Sequence, residues 1–197
     1  MNSQPHPKPH SLADIPRDSL ACVTGRFQPL HDQHLELFEI ALAHCEHLII
    51  AITNPDPGAR QAEPSSAHRH TAQANPFTYY ERVRLIKVAI SARALEARCT
   101  LVPFDLVRKE IWPQYVPLAA RQFVRCYGDW EREKARWFEA GGYPVTLIEG
   151  LAFNRHSAST IRASMRAGGD AWQRLVPVAT LTLLEQFLAE TPMNTRT

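Results

Sequence analysis

Short apolar runs alternate with segments of helical periodicity along most of the chain, and no other feature constrains the fold as much. The runs have the length of buried strands, and the segments between them repeat apolar residues every three or four positions. The five runs are LACVT (20–24), HLIIAIT (47–53), TLVPF (100–104), QFVRCYG (122–128) and YPVTLIEG (143–150). Strands that alternate with helices predict an α/β fold, Rossmann-like and doubly wound, with a five-stranded, mostly parallel sheet flanked by helices.

The size and composition of the chain suit one domain without a membrane or nucleic-acid partner. Its 197 residues carry a net charge of +2, so the charge balance does not call for DNA, RNA or an anionic membrane. No apolar run reaches the roughly 18 residues that span a bilayer. The four scattered cysteines form no CxxC pair, which favours buried thiols in a reducing cytosol. The expected location is cytoplasmic, and the oligomeric state, a homo-oligomer included, stays open.

The ends of the chain differ from its centre. Residues 1–18 are rich in proline and histidine and lack the apolar core of a signal peptide, so we expect a disordered N-terminal tail. The predicted domain covers residues 19–190, and residues 191–197 form a C-terminal tail. Doubly wound domains bind ligands beyond the carboxyl ends of their strands, so the segments after the first two strands are candidates for the site.

The segment after the first strand, GRFQPLHDQH (25–34), contains two histidines three positions apart. A metal site is one interpretation, although the pair lacks the i, i+4 spacing and the glutamate of an HExxH motif. A pair of core histidines is another, although the surroundings are polar. The third is phosphate binding, because the first turn of a helix presents N–H groups and the positive end of its dipole to an anion. There His31 and His34 share one face, and Gly25 lets the backbone approach the ligand.

Four segments of the sequence resemble motifs of one enzyme superfamily. GRFQPLHDQH resembles the (T/H)xGH signature of nucleotidyltransferases, in the wording of archaeal-type nicotinamide mononucleotide (NMN) adenylyltransferases. NPFTYYER (75–82) is similar to NPFTxxER, IWPQYV (111–116) to IWxxYV, and HSASTIR (156–162) to ISxTxIR. The four occur in the expected order, and the resemblance covers roughly residues 20–190.

The resemblance implies a role for each matched residue. His31, His34 and Arg162 would be catalytic, and the histidines would contact the triphosphate and stabilise the transition state. The implied nucleotide-binding residues are Gly25, Arg26, Phe27, Gln28, Ser157, Ser159, Thr160 and Arg162. The helix that opens near Ser157 would form a second anion site, although such Ser/Thr-rich starts are also common caps. Mg²⁺ would be held mostly by the triphosphate and water, so no metal-ligating residue is predicted.

Two departures from the motifs bear on the substrate. Gln33 stands where the superfamily has glycine, which changes the local room or adds an amide contact. The segment 54–75 is long, and its wording TNPDP…ANPFTYYER resembles cytidylyltransferases of phosphonate natural-product (antibiotic) pathways, which use CTP. A basic loop suits a small anionic acceptor, and a solvated excursion is the alternative. The predicted acceptor-binding residues are Arg60, His68, Arg69, His70, Asn75, Arg82 and Trp112.

The sequence therefore predicts an enzyme that transfers CMP from CTP to a small anionic acceptor such as phosphonoformate and releases pyrophosphate. NMN adenylyltransferase activity with ATP is the first alternative, because Trp112 and Tyr115 are aromatic side chains that could stack on nicotinamide. A nucleotide-binding sensor without activity is the second. The presence of both histidines and of Ser157, Ser159 and Arg162 argues against it, because a module that only binds nucleotide need not keep groups that stabilise a transition state.

Overall fold

Five strands form one sheet in the computed structural model, which describes residues 17–60, 70–150 and 155–196. In chain order they are β1 (Asp18–Gly25), β2 (Cys45–Thr53), β3 (Cys99–Phe104), β4 (Arg121–Cys126) and β5 (Val145–Glu149). Their order across the sheet is β3-β2-β1-β4-β5, and every neighbouring pair is parallel. The predicted α/β fold is confirmed, and its sheet is parallel throughout.

Five α-helices occur in the described part of the chain. They are α1 (Asp32–His44), α2 (Tyr79–Ser91), α3 (Asp129–Ala140), α4 (Ala158–Arg166) and α5 (Leu181–Glu190). The predicted capping box starts α2: the Thr78 hydroxyl accepts from the Glu81 N–H, and the Glu81 carboxylate accepts from the Thr78 N–H. The IWPQYV motif overlaps a 3₁₀ helix at Lys109–Gln114.

The sheet is buried on both faces, which explains why apolar residues follow one another without alternation in the middle of β2. Along β2, Leu48, Ile50 and Ile52 pack with residues of α1 and α2. Ile49 and Ala51 pack on the opposite face, with residues of α3. This burial holds the strands in register, so the loops that follow them leave from one edge of the sheet.

A third apolar cluster packs α4 and α5 against each other and against the segment before α2. It contains Ile161 and Met165 from α4, Leu184 and Phe187 from α5, and Phe77 from the NPFT motif. The last motif of the sequence is thereby joined to the second, although the two are far apart along the chain.

The C-terminal residues pack on this cluster, so the segment predicted as a tail belongs to the domain as far as Arg196. Met193 and Arg196 are both at least nine-tenths buried. Arg196 Nη1 lies 2.7 Å from Glu81 Oε1, and its guanidinium lies 4.9 Å from the centre of the Phe77 ring. Burial of this ion pair fixes the end of the chain beside the NPFT motif.

At the other end, β1 begins at Asp18, which forms an ion pair with Arg121 of β4. Of the predicted N-terminal tail at residues 1–18, residues 1–16 lie outside the described residues, as do residues 61–69 and 151–154. Among the helices of the described residues, none has the length and apolar character that crossing a bilayer requires.

Candidate active site

A cavity of about 580 Å³ opens at the carboxyl ends of β1 and β4. These strands are neighbours at the centre of the sheet, and the chain leaves them toward opposite edges. This is the switch in strand order at which doubly wound folds bind ligands, and the volume is within the range of small-molecule sites. The segment after β1 was predicted to carry the site, and it lines the cavity.

The GRFQP turn lines the cavity with a strained backbone. Phe27 has a φ of +51°, in the left-handed region that residues with a Cβ seldom occupy. Its ring is buried and covers Gly25, on which a Cβ would lie 2.8 Å from the ring. Glycine at position 25 therefore leaves room for the Phe27 ring, whereas the sequence suggested that it lets the ligand approach the backbone.

His31 and His34 lie at the N-terminus of α1 and line the cavity, and their ring centres are 3.6 Å apart in a stack. The backbone N–H of His31 donates to Nδ1 of His34 over 3.3 Å. A neutral imidazole that accepts at Nδ1 carries its proton on Nε2. His34 therefore keeps an N–H donor for a ligand.

Both imidazoles are neutral at physiological pH. Burial, followed by the charge of His156 and then those of two arginines, lowers the pKa of His31 from 6.5 to about 3. Burial also lowers the pKa of His34 well below 6.5, and the neighbouring His31 adds to the effect. The pair therefore offers hydrogen-bond donors to a ligand without carrying fixed positive charge.

The N-terminus of α4 forms another wall of the cavity. The Ser157 hydroxyl caps the helix and accepts from the Ser159 N–H over 3.2 Å, and both serines line the cavity. Thr160 is exposed and is not among the lining residues. Arg162 is 3% exposed and donates to the Gln28 carbonyl over 2.7 Å and to the Ser159 hydroxyl over 3.2 Å. It therefore ties α4 to the GRFQP turn, so the catalytic contact implied for it is indirect in this geometry.

Buried hydrogen bonds also tie the GRFQP turn to the NPFT motif. The Gln28 side chain donates to the Phe77 carbonyl and accepts from the Phe77 N–H, each over 2.9 Å. Arg82 is 1% exposed and donates to three backbone carbonyls just beyond β1 and at the end of β2. Arg82 holds these loops together, which corrects its predicted role as an acceptor contact.

Cationic side chains outnumber carboxylates along the cavity wall. Among the described lining residues, Glu131 is the one carboxylate, and the cations are Arg26, Arg125, Lys134 and Arg155. Glu131 Oε1 lies 3.6 Å from Arg155 Nη2, and Arg125 pairs outside the cavity with Glu36. The remaining excess of positive charge suits substrates that carry several negative charges.

Several residues that line the cavity were not predicted from the sequence, because no motif assigns them a role. They are Arg125, Tyr127, Trp130, Lys134, Arg155 and His156. Their signal is their position, since they lie at the end of β4, beyond it, or just before Ser157. That signal becomes useful only when β4 is known to lie beside β1, and the order of parallel strands is not encoded locally.

Trp112 lies in the apolar core, which corrects its predicted role as an acceptor contact. It is 1% exposed, and its ring centre lies 4.9 Å from that of Phe138. Its Nε1 donates to the Asp105 carbonyl over 2.9 Å. Stacking of nicotinamide on Trp112 therefore has no support from this geometry.

Arg60, His70 and Asn75 are predicted acceptor residues on either side of segment 61–69, and none of the three lines the cavity. Asn75 is buried, and its amide donates to the Thr71 carbonyl over 2.8 Å. Arg60 and His70 are partly exposed, and each has one buried nitrogen without a hydrogen-bond partner among the described residues. His68 and Arg69 lie outside the described residues. A contact of this loop with an acceptor stays a prediction.

Gln33 supplies an amide contact at the position where the motif has glycine. Its Oε1 accepts from the Tyr127 hydroxyl and from the His156 N–H, each over 2.8 Å. The sequence predicts that Gln33 either changes the local room or adds an amide contact, and these hydrogen bonds are the added contact. One side chain thereby links α1, the end of β4 and the segment before α4.

No group of three or more His, Cys, Asp or Glu side chains within the described residues is placed to hold a metal ion. Glu131, at the cavity wall, is already engaged with Arg155 and accepts from the Tyr127 N–H over 3.4 Å. The described residues therefore do not form a protein cage for Mg²⁺.

Comparison with known proteins identifies the relatives of the chain. A family model described as "Cytidylyltransferase-like" matches residues 22–164, a range that includes the end of β1, the starts of α1 and α4 and the four motif-like segments. Phosphonoformate cytidylyltransferase of Streptomyces viridochromogenes is 34% identical over 165 residues, 83% of this chain and 89% of the relative. Nicotinamide-nucleotide adenylyltransferase of Thermococcus onnurineus is 30% identical over 164 residues, 83% of this chain and 80% of the relative.

Solved structures share the fold at lower identity. A bifunctional NMN adenylyltransferase/ADP ribose pyrophosphatase from Francisella tularensis superimposes with a TM-score of 0.62 and 16% identity, over 90% of this chain. The match spans 50% of that longer chain. The likeness shows the architecture of the sheet and its helices.

Proposed function

We propose that this chain, which belongs to the cytidylyltransferase-like family and is a nucleotidyltransferase, transfers CMP from CTP to a small phosphonate. The acceptor is a doubly anionic molecule of the phosphonoformate type, and the products are a CMP–phosphonate anhydride and pyrophosphate. The observation that carries the proposal is the cavity at β1 and β4, where cationic side chains and neutral histidine donors share one volume.

The reaction exchanges one phosphorus–oxygen bond for another. A phosphonate oxygen of the acceptor attacks the α-phosphorus of CTP. The bond from the α-phosphorus to the oxygen that bridges to the β-phosphorus breaks, and pyrophosphate leaves with the electron pair. No protein nucleophile is needed, so the protein contributes by positioning the substrates and stabilising the charge that develops.

The N-termini of α1 and α4 suit the triphosphate. In the proposed complex His31 and the Nε2–H of His34 donate to phosphoryl oxygens on which charge grows as pyrophosphate leaves. Ser157 and Ser159 bind the β- and γ-phosphates with help from the helix dipole. Arg162 supports them through its bond to the Ser159 hydroxyl.

The cations along β4 and α3 suit the acceptor. Phosphonoformate joins a phosphonate to a carboxylate, so its two acidic groups need cationic partners within a small volume. Arg125 at the end of β4 and Lys134 on α3 both line the cavity. Arg60 and His70, at the ends of segment 61–69, are further candidates.

The donor is the magnesium complex of CTP. Magnesium keeps several of its waters and commonly binds through substrate phosphates. The described residues offer no metal cage, so we assign the ion to the substrate.

Adenylyl transfer from ATP to NMN is the second candidate. The observation in its favour is that archaeal adenylyltransferases match this chain over the same length as the cytidylyltransferase does, at only slightly lower identity. The long segment between β2 and α2 and the core position of Trp112 favour the phosphonate.

A matrix of donors and acceptors tests the proposal. CTP and ATP are each incubated with Mg²⁺ and with phosphonoformate or NMN, and pyrophosphate release is measured while ³¹P NMR identifies the adduct. We expect release and a CMP adduct with CTP and phosphonoformate. Release only with ATP and NMN would replace the proposal by the second candidate, and no release with any pair would favour a binding module without activity.

A further inference from the structure

His156 brings a third imidazole to the cavity, beside the two histidines of α1. It directly precedes the Ser157 cap of α4 and lines the cavity. Its ring centre lies 6.5 Å from that of His31, and the two rings meet edge to face. The motif that this segment resembles has isoleucine at the position of His156, so the role of the imidazole does not follow from the resemblance.

Two ring nitrogens at this place lack partners. Nδ1 of His31 and Nδ1 of His156 are both buried without a hydrogen-bond partner among the described residues. His31 as a whole is 6% exposed. Buried polar atoms without partners are costly, so they are uncommon in folded proteins unless a ligand or water completes them. A ligand that accepts hydrogen bonds would satisfy both nitrogens.

The position of His156 depends on Gln33. Oε1 of Gln33 accepts from the backbone N–H of His156 over 2.8 Å and from the Tyr127 hydroxyl over the same distance. The Arg155 guanidinium lies 4.9 Å from the centre of the Tyr127 ring, which adds a second tie between this segment and the end of β4. With alanine at position 33, both hydrogen bonds would be lost.

We propose that Gln33 is a positioning residue that holds His156 beside His31, and that the two imidazoles bind one phosphoryl group between their Nδ1 atoms. The 6.5 Å between the ring centres is short enough for one phosphoryl group to accept from a nitrogen of each ring over about 2.9 Å. The N-terminus of α1 and the nearby Arg155 favour a negative ligand at this point. The inference rests on the proposed function only in naming the group as part of the triphosphate or of the pyrophosphate product.

Binding of inorganic pyrophosphate to the full chain, measured by titration calorimetry, tests the contact of His156. We expect His156→Ala to weaken binding by about tenfold, the factor that corresponds to one lost charge-assisted hydrogen bond. His156→Asn keeps an N–H near the position of Nδ1 and should restore most of the affinity, whereas His156→Gln extends its amide toward the position of Nε2 and should not. His47→Ala removes an imidazole that bonds Thr100 on the exposed surface and should bind as the wild type does.

Hydrogen exchange of the His156 backbone amide tests the positioning role of Gln33. In Gln33→Ala this amide loses its acceptor, so we expect faster exchange together with weaker pyrophosphate binding and an unchanged melting temperature within a few degrees. Tyr127→Phe removes the other donor to Oε1 and leaves the His156 N–H its acceptor, so His156 should stay protected. In Gln33→Glu a carboxylate oxygen can still accept from the His156 N–H, so this amide should exchange slowly. The negative charge should nevertheless keep pyrophosphate binding weak.

Three outcomes would overturn the inference. They are wild-type affinity in a folded His156→Ala protein, equal rescue by asparagine and glutamine at that position, and an unchanged exchange rate in Gln33→Ala. These outcomes do not depend on turnover. A protein that binds pyrophosphate through His156 but releases none from CTP and phosphonoformate would contradict the proposed function and support this inference.

Discussion

His34 accepts a hydrogen bond at Nδ1 from the backbone N–H of His31, and this bond places the ring proton on Nε2. Because the ring is also stacked on His31, its orientation is fixed before any substrate arrives. Such preorganised donors stabilise a transition state without reorganisation at the moment of reaction. At the scale of single residues, the proposed chemistry depends most on this side chain.

We predict that His34→Ala lowers kcat with the preferred substrate pair by about 10²–10³-fold, because one preorganised donor to the developing charge is lost. Circular dichroism should show an intact fold, and the variant His47→Ala, altered at a surface imidazole, should keep its activity. Unchanged turnover in His34→Ala would remove His34 from the mechanism.

The lowered pKa of His31 makes stability depend on pH in one direction. Burial lowers this pKa to about 3 in the folded protein, whereas the unfolded chain takes up a proton near 6.5. Below pH 6.5 the unfolded state therefore binds more protons, and the free energy of unfolding falls as pH decreases toward 3. His31→Gln should flatten the profile between pH 4.5 and 6.5 by up to about 1.4 kcal/mol per pH unit. Denaturant unfolding at several pH values measures this, and parallel profiles would contradict it.

Which residues face the cavity could be predicted from the sequence only where a motif marks them. The histidines, Arg26 and the serines of α4 were found in this way and line the cavity. Arg162 was assigned to the ligand but is buried against the protein, because a guanidinium can serve backbone carbonyls as well as phosphate. Trp112 was misassigned for a similar reason, since an indole suits a core as well as a stacked ring.

At the scale of elements, the loops after β1 and β2 are held by one buried cation. Arg82 on α2 donates to backbone carbonyls of both loops and to that of Thr78. Burial, followed by the charge of Arg60, lowers the pKa of Arg82 to about 10, so it stays charged at neutral pH. The position of the GRFQP turn thus depends on a side chain far away in sequence.

We predict that Arg82→Met destabilises the protein by about 3 kcal/mol or more, because several buried carbonyls lose their donor. Arg84→Met on the same helix is the matched control, since Arg84 bonds only the exposed Tyr80 hydroxyl among the partners described for it. Its effect should stay within about 0.5 kcal/mol. Equal urea midpoints for the two variants would contradict this account.

The existence and type of the strands could be predicted from the sequence because two-sided burial gives them short apolar runs, such as LIIAI in β2. The capping box of α2 was equally clear, since Thr78 and Glu81 satisfy each other locally. The order of the strands could not be derived in this way, because pairing between β1 and β4 depends on packing across the molecule. The cations after β4 were missed for the same reason.

At the scale of the whole molecule, the end of the chain closes the structure around the NPFT motif. The Arg196 guanidinium and the Glu81 carboxylate are 3% and 13% exposed. Glu81 also accepts from the Thr78 N–H and so belongs to the start of α2. A polar stretch after the last helix gave no sign of this contact in the sequence.

Arg196→Ala is therefore expected to lower the free energy of unfolding by about 3–5 kcal/mol, because it leaves a largely buried carboxylate without its cation. Thermal and urea unfolding measure the loss. The variant Arg174→Ala, which removes a cation from the 3₁₀ helix Ala171–Arg174, serves as the control. A loss no larger than that of the control would show that the last residues do not stabilise the domain.

In the proposed complex the triphosphate binds at the cavity between β1 and β4, at the N-termini of α1 and α4. A crystal structure with Mg²⁺ and a CTP analogue that cannot release pyrophosphate tests it most directly. The account predicts phosphoryl oxygens within hydrogen-bond distance of His34 Nε2 and of the Ser157–Ser159 helix start. A nucleotide whose triphosphate lies elsewhere, with both helix starts free of it, would contradict the account.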